Sequence, residues 1–133
     1  MKRYVKYSVL LFSVVLLSCA KTEAQEVKHL SAKEVHDLIA KDTNVFLLDV
    51  RTKEEYLSET GRLPNAYLIP VDELESRIAE VPRSKNVVTY CRSGRRSVRA
   101  AEILNKNGVK ASTMDGGILE WQNDGFAVER VSK

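Results

Sequence analysis

Cys91 is the residue of this chain best suited to nucleophilic chemistry, because it stands between an apolar run and a polar, basic loop. The thiolate is the nucleophilic form of cysteine, and nearby cations or a helix N-terminus favour it by lowering the pKa of the thiol. The residues that follow combine cations with small side chains: Arg92, Ser93, Gly94, Arg95 and Arg96. Gly94 permits a tight loop, and a helix predicted to begin at about Ser97 would direct backbone N–H groups toward the same point. The pattern predicts an anion-binding loop around a reactive thiolate.

The segments that would position this loop alternate between strand and helix patterns. Strand patterns lie at 27–30, 45–50, 67–70, 86–90 and 110–115. Helix patterns lie at 31–41, 53–59, 72–81, 97–107 and after the glycine pair 116–117. Two of the helix patterns begin with a capping box, formed by Ser31 with Glu34 and by Thr52 with Glu55. The alternation predicts an α/β fold, with a central parallel sheet of about five strands and helices on both faces.

A sheet of this kind binds ligands beyond the carboxyl ends of its strands. Cys91 directly follows the strand pattern at 86–90, so it is expected at that edge. Asp49 and Arg51 lie at the end of the pattern at 45–50 and are expected nearby. They could tune the site, or they could form an ion pair or hydrogen-bonded network that supports the fold.

The first 18 residues have the layout of a secretory signal peptide, with three basic residues and then an uncharged apolar run. The segment that ends at Cys19 resembles the lipobox of bacterial lipoproteins, in which the cysteine becomes lipid-modified and N-terminal. This predicts a signal peptide at 1–18, a lipid-attached tether at 19–26 and a folded domain at 27–133. The protein would be exported to the cell envelope and anchored facing the periplasm, and Ala20 after the cysteine favours the outer membrane. The alternative is an ordinary signal peptide in which Cys19 has no role.

The charge balance depends on that N-terminal segment. Residues 1–18 hold three of the 21 Lys and Arg residues and none of the 18 Asp and Glu residues, which leaves 18 of each in the remainder. A neutral chain gives no support for nucleic-acid binding, which requires a concentrated basic face. His29 and His36 have no carboxylate or cysteine at ligand spacing, so no metal is expected.

Four motifs resemble the rhodanese family of sulfurtransferases. The loop CRSGRRS, at 91–97, is similar to the family's active-site loop. The other three are LLDVRTKEEY at 47–56, GRLPNAYLIP at 61–70 and GGILEW at 116–121. Two positions depart from the family pattern, with Arg62 in place of the usual His and Asn65 in place of the usual Gly.

The resemblance implies covalent catalysis through Cys91. Its thiolate would attack the outer sulfur of a donor such as thiosulfate, and backbone N–H groups of residues 92–96 would hold the resulting persulfide. Cyanide or a thiol would then accept the sulfur. The resemblance implies no cofactor and no metal, and the charge balance gives no reason to expect a nucleic-acid partner. The expected partners are a small sulfur-containing anion and the acceptor, with membrane contact through the lipid alone, and the protein is expected to be a monomer.

Three alternatives remain beside this interpretation. A cysteine phosphatase needs Cys-x5-Arg, but the sixth residue after Cys91 is Ser97, so the required arginine is absent. A non-catalytic rhodanese module could bind a partner protein or a sulfur species in the envelope, although such modules typically lack the cysteine. A buried structural cysteine is the third alternative, and the polar loop argues against it.

Overall fold

A parallel sheet of five strands forms the centre of the computed structural model, which describes residues 25–132. The strands are β1 (Lys28–Leu30), β2 (Val45–Asp49), β3 (Tyr67–Leu68), β4 (Asn86–Tyr90) and β5 (Ala111–Met114). Their spatial order is β1-β5-β4-β2-β3, and every pairing is parallel. The α-helices of the same region are α1 (Ala32–Lys41), α2 (Lys53–Leu57), α3 (Arg95–Lys106) and α4 (Gly117–Asn123). The predicted α/β fold is confirmed.

Both faces of the sheet are covered, as the apolar strand patterns predict. Val87 and Val88 are neighbours in β4, and each belongs to a different hydrophobic core. The core around Val87 includes Leu104 of α3, and the core around Val88 includes Val35 of α1 and Trp121 of α4. Adjacent residues of a strand point to opposite faces, so burial of both requires helices on both sides.

The predicted capping boxes begin α1 and α2. The Ser31 side chain accepts a hydrogen bond from the backbone N–H of Glu34, and the Glu34 carboxylate accepts one from the backbone N–H of Ser31. Thr52 and Glu55 make the same reciprocal pair. These bonds satisfy donors that would otherwise have no partner in the first helical turn.

The prediction of an α-helix over 72–81 is wrong. This segment forms two 3₁₀ turns, Val71–Glu73 and Glu75–Glu80. Pro70 precedes the first turn and provides no side-chain cap, and no side-chain cap bond begins the second turn either. The apolar spacing does mark buried positions, because Leu74 and Val81 are both in the core. The backbone between Pro70 and Pro82, however, takes the tighter i→i+3 geometry.

The predicted start of the helix after Cys91 is also corrected. Helix α3 begins at Arg95, two residues before Ser97, because Gly94 takes a left-handed conformation with φ of 106° and serves as its N-cap. The loop between β4 and α3 is therefore only Cys91 to Gly94.

The predicted signal peptide at 1–18, the lipid site at Cys19 and most of the tether lie outside the described residues. Among the helices of residues 25–132, none has both the length and the apolar character needed to cross a membrane.

Candidate active site

Cys91 lies at the carboxyl edge of the sheet, where β4 passes into the short loop before α3. The residue is 1% exposed. Its Sγ accepts a hydrogen bond from the backbone N–H of Gly94 at 3.1 Å, and the Ser97 hydroxyl oxygen lies 3.7 Å away. The first turn of α3 therefore faces the sulfur, which is the arrangement predicted for an anion-binding loop.

The surroundings of Cys91 favour its thiolate. Burial by itself raises the pKa of the Cys91 thiol, but hydrogen bonds from the backbone N–H groups of Ser97, Gly94 and Ser93 and from the Ser97 hydroxyl outweigh this effect. The net result is a pKa below the ordinary value for cysteine. The loop pattern predicts that the arginines supply part of this effect, whereas in the structure the hydrogen-bond donors are the main cause of the lowered pKa.

The three arginines of the loop have different environments. Arg96 makes a bidentate ion pair with Glu55, with N–O distances of 2.7 and 2.8 Å. The hydrogen bonds from Arg96 are the largest of the effects that lower the pKa of Glu55 to about 2. Arg92 and Arg95 are exposed and form no ion pair with any residue of 25–132. Arg92 and Arg95 are therefore available to bind an anion, whereas Arg96 is paired with Glu55 of α2.

Asp49 and Arg51 form a buried network with Tyr90. Arg51 donates to both carboxylate oxygens of Asp49, at 2.6 Å for the shortest contact, and also to the backbone O of Gly61. The Tyr90 hydroxyl donates to Asp49 at 2.7 Å and accepts from the backbone N–H of Leu63 at 3.1 Å. These bonds join the ends of β2 and β4 to the turn at 61–63. Asp49 and Arg51 were expected either to tune the site or to form a network that supports the fold. This geometry fits the second role.

Helix α4 holds the backbone of the loop from the other side. The N–H of Ile118 donates to the backbone O of Cys91 at 2.9 Å, and the N–H of Leu119 donates to that of Arg92 at 3.2 Å. Gly117 has φ of 59°, and a Cβ placed on it would collide with the carbonyls of Cys91 and Arg92. Gly117, the first residue of α4, is therefore what allows this helix to approach the loop. Trp121, the last residue of the GGILEW motif, is buried in the core.

The two departures from the family pattern lie in the turn at 61–66. The Arg62 guanidinium lies over the Tyr56 ring, 4.7 Å from its centre, and 3.7 Å from a carboxylate oxygen of Glu129. Asn65 adopts φ of 59°, a left-handed conformation that asparagine tolerates better than other residues with a Cβ. Asn65 can therefore occupy a backbone position that favours glycine.

Two further residues, Ser97 and Thr113, belong to the site although the sequence patterns do not predict it. The sequence gives the Ser97 side chain no chemical role, yet its hydroxyl lies beside Cys91 Sγ and accepts a hydrogen bond from the Thr113 hydroxyl at 2.8 Å. Both residues are fully buried. A hydroxyl in a strand buried on both faces, as in the KASTMD segment, is the signal that could have indicated such a contact. Within residues 25–132, no group of acidic, His or Cys side chains is placed to hold a metal.

Comparison with known proteins places this geometry in a family. The model of the rhodanese-like domain matches residues 31–124. A sulfurtransferase of Allochromatium vinosum is 31% identical over 103 residues, which cover 77% of this chain and 94% of the relative.

Two solved structures are also similar. The rhodanese-like domain protein of Staphylococcus aureus is 30% identical with a TM-score of 0.71, and the match covers 80% of this chain and all of that one. The rhodanese-related protein of Thermoplasma volcanium is 28% identical with a TM-score of 0.70, over 77% of this chain and 97% of that one. The strand order, the loop after β4 and these similarities agree, and the chain belongs to the rhodanese-like domain family.

Proposed function

We propose that this protein is a sulfurtransferase that carries sulfur as a persulfide on Cys91. The observation that carries the proposal is the position of Sγ against the first turn of α3, where it accepts the Gly94 N–H at 3.1 Å and lies 3.7 Å from the Ser97 hydroxyl, with a lowered thiol pKa. These donors favour a negatively charged sulfur at this point. The name of the Allochromatium vinosum relative supports the same class of reaction.

In the first half-reaction, the Cys91 thiolate forms a bond to the outer sulfur of thiosulfate. The S–S bond of thiosulfate breaks, and its electron pair leaves with sulfite. The negative charge of the persulfide is then on its outer sulfur. The exposed Arg92 and Arg95 supply positive charge at the entrance for the anionic donor.

In the second half-reaction, cyanide or a thiolate forms a bond to the outer sulfur. The electron pair of the Cys91 S–S bond returns to Sγ, and the thiolate is regenerated. This two-step exchange is ping-pong catalysis, and each step balances without an oxidant or a reductant.

Intact mass spectrometry tests the first half-reaction. The full-length chain with Cys19→Ser, in detergent, has Cys91 as its one thiol. Treatment with thiosulfate should add one sulfur atom to Cys91, and cyanide should remove it. The matched variant Cys91→Ser should gain nothing while it keeps the fold, as measured by circular dichroism.

Two results would contradict the proposal. A mass gain in Cys91→Ser would place the chemistry elsewhere. No gain with thiosulfate or with other sulfur donors, in a protein whose thiol reacts with an alkylating agent, would indicate a binding module that does not transfer sulfur.

We infer further that the protein is lipid-anchored in the cell envelope through Cys19 and faces the periplasm. The support is the sequence of residues 1–19, with its basic start, apolar run and terminal cysteine. Growth with a labelled fatty acid should label the wild-type protein and leave Cys19→Ser unlabelled. Equal labelling of both would contradict the anchor.

A further inference from the structure

The Ser97 hydroxyl lies at the meeting point of three groups under the first turn of α3. Its oxygen is 2.9 Å from the backbone O of Gly94, 2.8 Å from the Thr113 hydroxyl and 3.7 Å from Cys91 Sγ. Ser97 and Thr113 are both inaccessible to solvent. Bulk solvent does not reach these hydroxyls, and the partners that they have are groups of the protein.

The number of protons limits how these groups can be paired. A hydroxyl has one proton and two lone pairs. Thr113 donates its proton to the Ser97 oxygen, so the Ser97 proton has two remaining acceptors, Gly94 O and Cys91 Sγ. When Cys91 is a thiol, its S–H donates to Ser97 and the Ser97 proton is given to Gly94.

Ionisation of Cys91 changes which acceptor is better. A thiolate has no proton to donate, and a charged acceptor makes a stronger hydrogen bond than a neutral one. If the Ser97 proton rotates toward Sγ, Gly94 O still accepts the backbone N–H of Val98 at 3.3 Å. Ser97 still accepts from Thr113, so the rotation leaves no buried polar atom without a partner.

We propose that Ser97 is a two-position hydrogen-bond partner of the reacting sulfur, accepting from the Cys91 thiol and donating to the thiolate, and that Thr113 is the positioning residue that fixes its oxygen. The consequence for catalysis rests on the proposed function. In the second half-reaction the electron pair of the S–S bond returns to Sγ, and the Ser97 proton would stabilise the charge that develops there. The same contact would stabilise the thiolate that begins the first half-reaction.

The sheet provides a matched control for Thr113. Thr89 of β4 is paired with Thr113 of β5 in the sheet register, and both are fully buried beneath the same turn of α3. The Thr89 hydroxyl donates to the backbone O of Ser97 at 2.8 Å, and it makes no bond to the Ser97 hydroxyl. Replacement of either threonine by valine removes one buried hydroxyl and preserves the shape, but only Thr113→Val affects the proposed contact.

The test is a pH titration of the Cys91 thiolate by its ultraviolet absorbance, in the full-length chain with Cys19→Ser. Ser97→Ala should raise the midpoint by about one to two pH units, because the thiolate loses a hydrogen bond that is stronger than one to a neutral acceptor. Thr113→Val should raise the midpoint by less, and Thr113→Ser should restore it. Thr89→Val should leave it unchanged. Discharge of the persulfide by cyanide should slow in Ser97→Ala and Thr113→Val.

An unchanged midpoint in Ser97→Ala would overturn the proposal. Equal shifts in Thr89→Val and Thr113→Val would also overturn it, because general loosening beneath α3 would then explain both. If Ser97→Ala does not fold, the two threonine variants decide the question by themselves. The titration needs no sulfur donor, so its result is independent of whether Cys91 accepts sulfur.

Discussion

Two groups of charged residues lie at the same edge of the sheet and use arginine in opposite ways. In the first, which we name the buried network (Asp49, Arg51 and Tyr90), Arg51 is 1% exposed and bonds a carboxylate and backbone oxygens. In the second, the loop after Cys91, Arg92 and Arg95 face solvent without an ion pair to any described residue. The buried network therefore holds the carboxyl ends of β2 and β4 in place, whereas the loop leaves positive charge available to an anionic ligand. Changes in the first should affect stability, and changes in the second should affect chemistry.

The largest expected effect is that of Asp49→Ala, which removes the carboxylate from the buried network. Arg51 would remain buried without a counter-ion, and the loss of one partner from such a pair costs about 3–5 kcal/mol. Denaturant unfolding should show this decrease in the free energy of unfolding. Asp37→Ala breaks the exposed pair with Lys33 and should leave the unfolding midpoint nearly unchanged. A similar midpoint for the two variants would show that the buried network does not support the fold.

Gly117→Ala should have the next largest effect, because it forces α4 away from the loop. The left-handed backbone and the collision with the carbonyls of Cys91 and Arg92 should together cost about 3 kcal/mol. The same variant should slow persulfide formation, since the loop backbone must shift. Gly125→Ala is the matched control, because Gly125 also has a positive φ but has no neighbouring atom within 4 Å of an added Cβ. Equal losses of stability in the two variants would mean that the close approach of α4 is unimportant.

The double variant Arg92→Ala/Arg95→Ala tests whether the exposed arginines of the loop act on the chemistry and not on stability. Persulfide formation from thiosulfate should slow by about tenfold at low salt, because steering of an anion depends on local charge. The free energy of unfolding should not change. Arg99→Ala is the control, since Arg99 is an exposed arginine of α3 that lies 3.3 Å from Asp72. An equal loss with a neutral sulfur donor would contradict the electrostatic role.

The smallest expected effect concerns the ion pair between Glu55 and Arg96. The folded-state pKa of Glu55 is about 2, below its ordinary value of 4.5. The stabilisation from this pair is therefore fully present above pH 4.5 and is lost as the pH falls toward 2. Both side chains are partly exposed, so the pair should contribute less than about 1 kcal/mol.

Glu55→Gln isolates this charge, because glutamine can still complete the capping box of α2. Denaturant unfolding between about pH 6 and pH 3 should show a weaker pH dependence for the variant than for the wild-type chain. Parallel curves for the two proteins would show that the ion pair adds nothing to stability.

The sequence was sufficient for those parts of the fold that depend on local patterns. The capping boxes at Ser31 and Thr52 and the doubly buried strand at 86–90 follow from residues close together in the chain. The position of Cys91 at the sheet edge follows from that strand. The predicted start of α3 is two residues late. A glycine can stand inside a loop or serve as a left-handed N-cap, and the sequence does not show which of the two Gly94 does.

The contacts that the sequence did not predict join distant parts of the chain. The pairing of Glu55 with Arg96 crosses from α2 to α3, and the hydroxyl contact of Thr113 with Ser97 crosses from β5 to α3. The capping-box pattern predicts only the bond of the Glu55 carboxylate to Thr52, although both oxygens of that carboxylate also accept from Arg96. Local patterns carry no information about such neighbours, which depend on sheet order and register.

The attachment of α4 to the loop has a consequence for the order of events during synthesis. Ile118 and Leu119 hold the carbonyls of Cys91 and Arg92, and both follow the cysteine in the chain. A nascent chain that has not yet released α4 from the ribosome lacks these two contacts. The donors of α3 can already face the sulfur at that stage, but the backbone of Cys91 and Arg92 gains its second support only when the last helix docks.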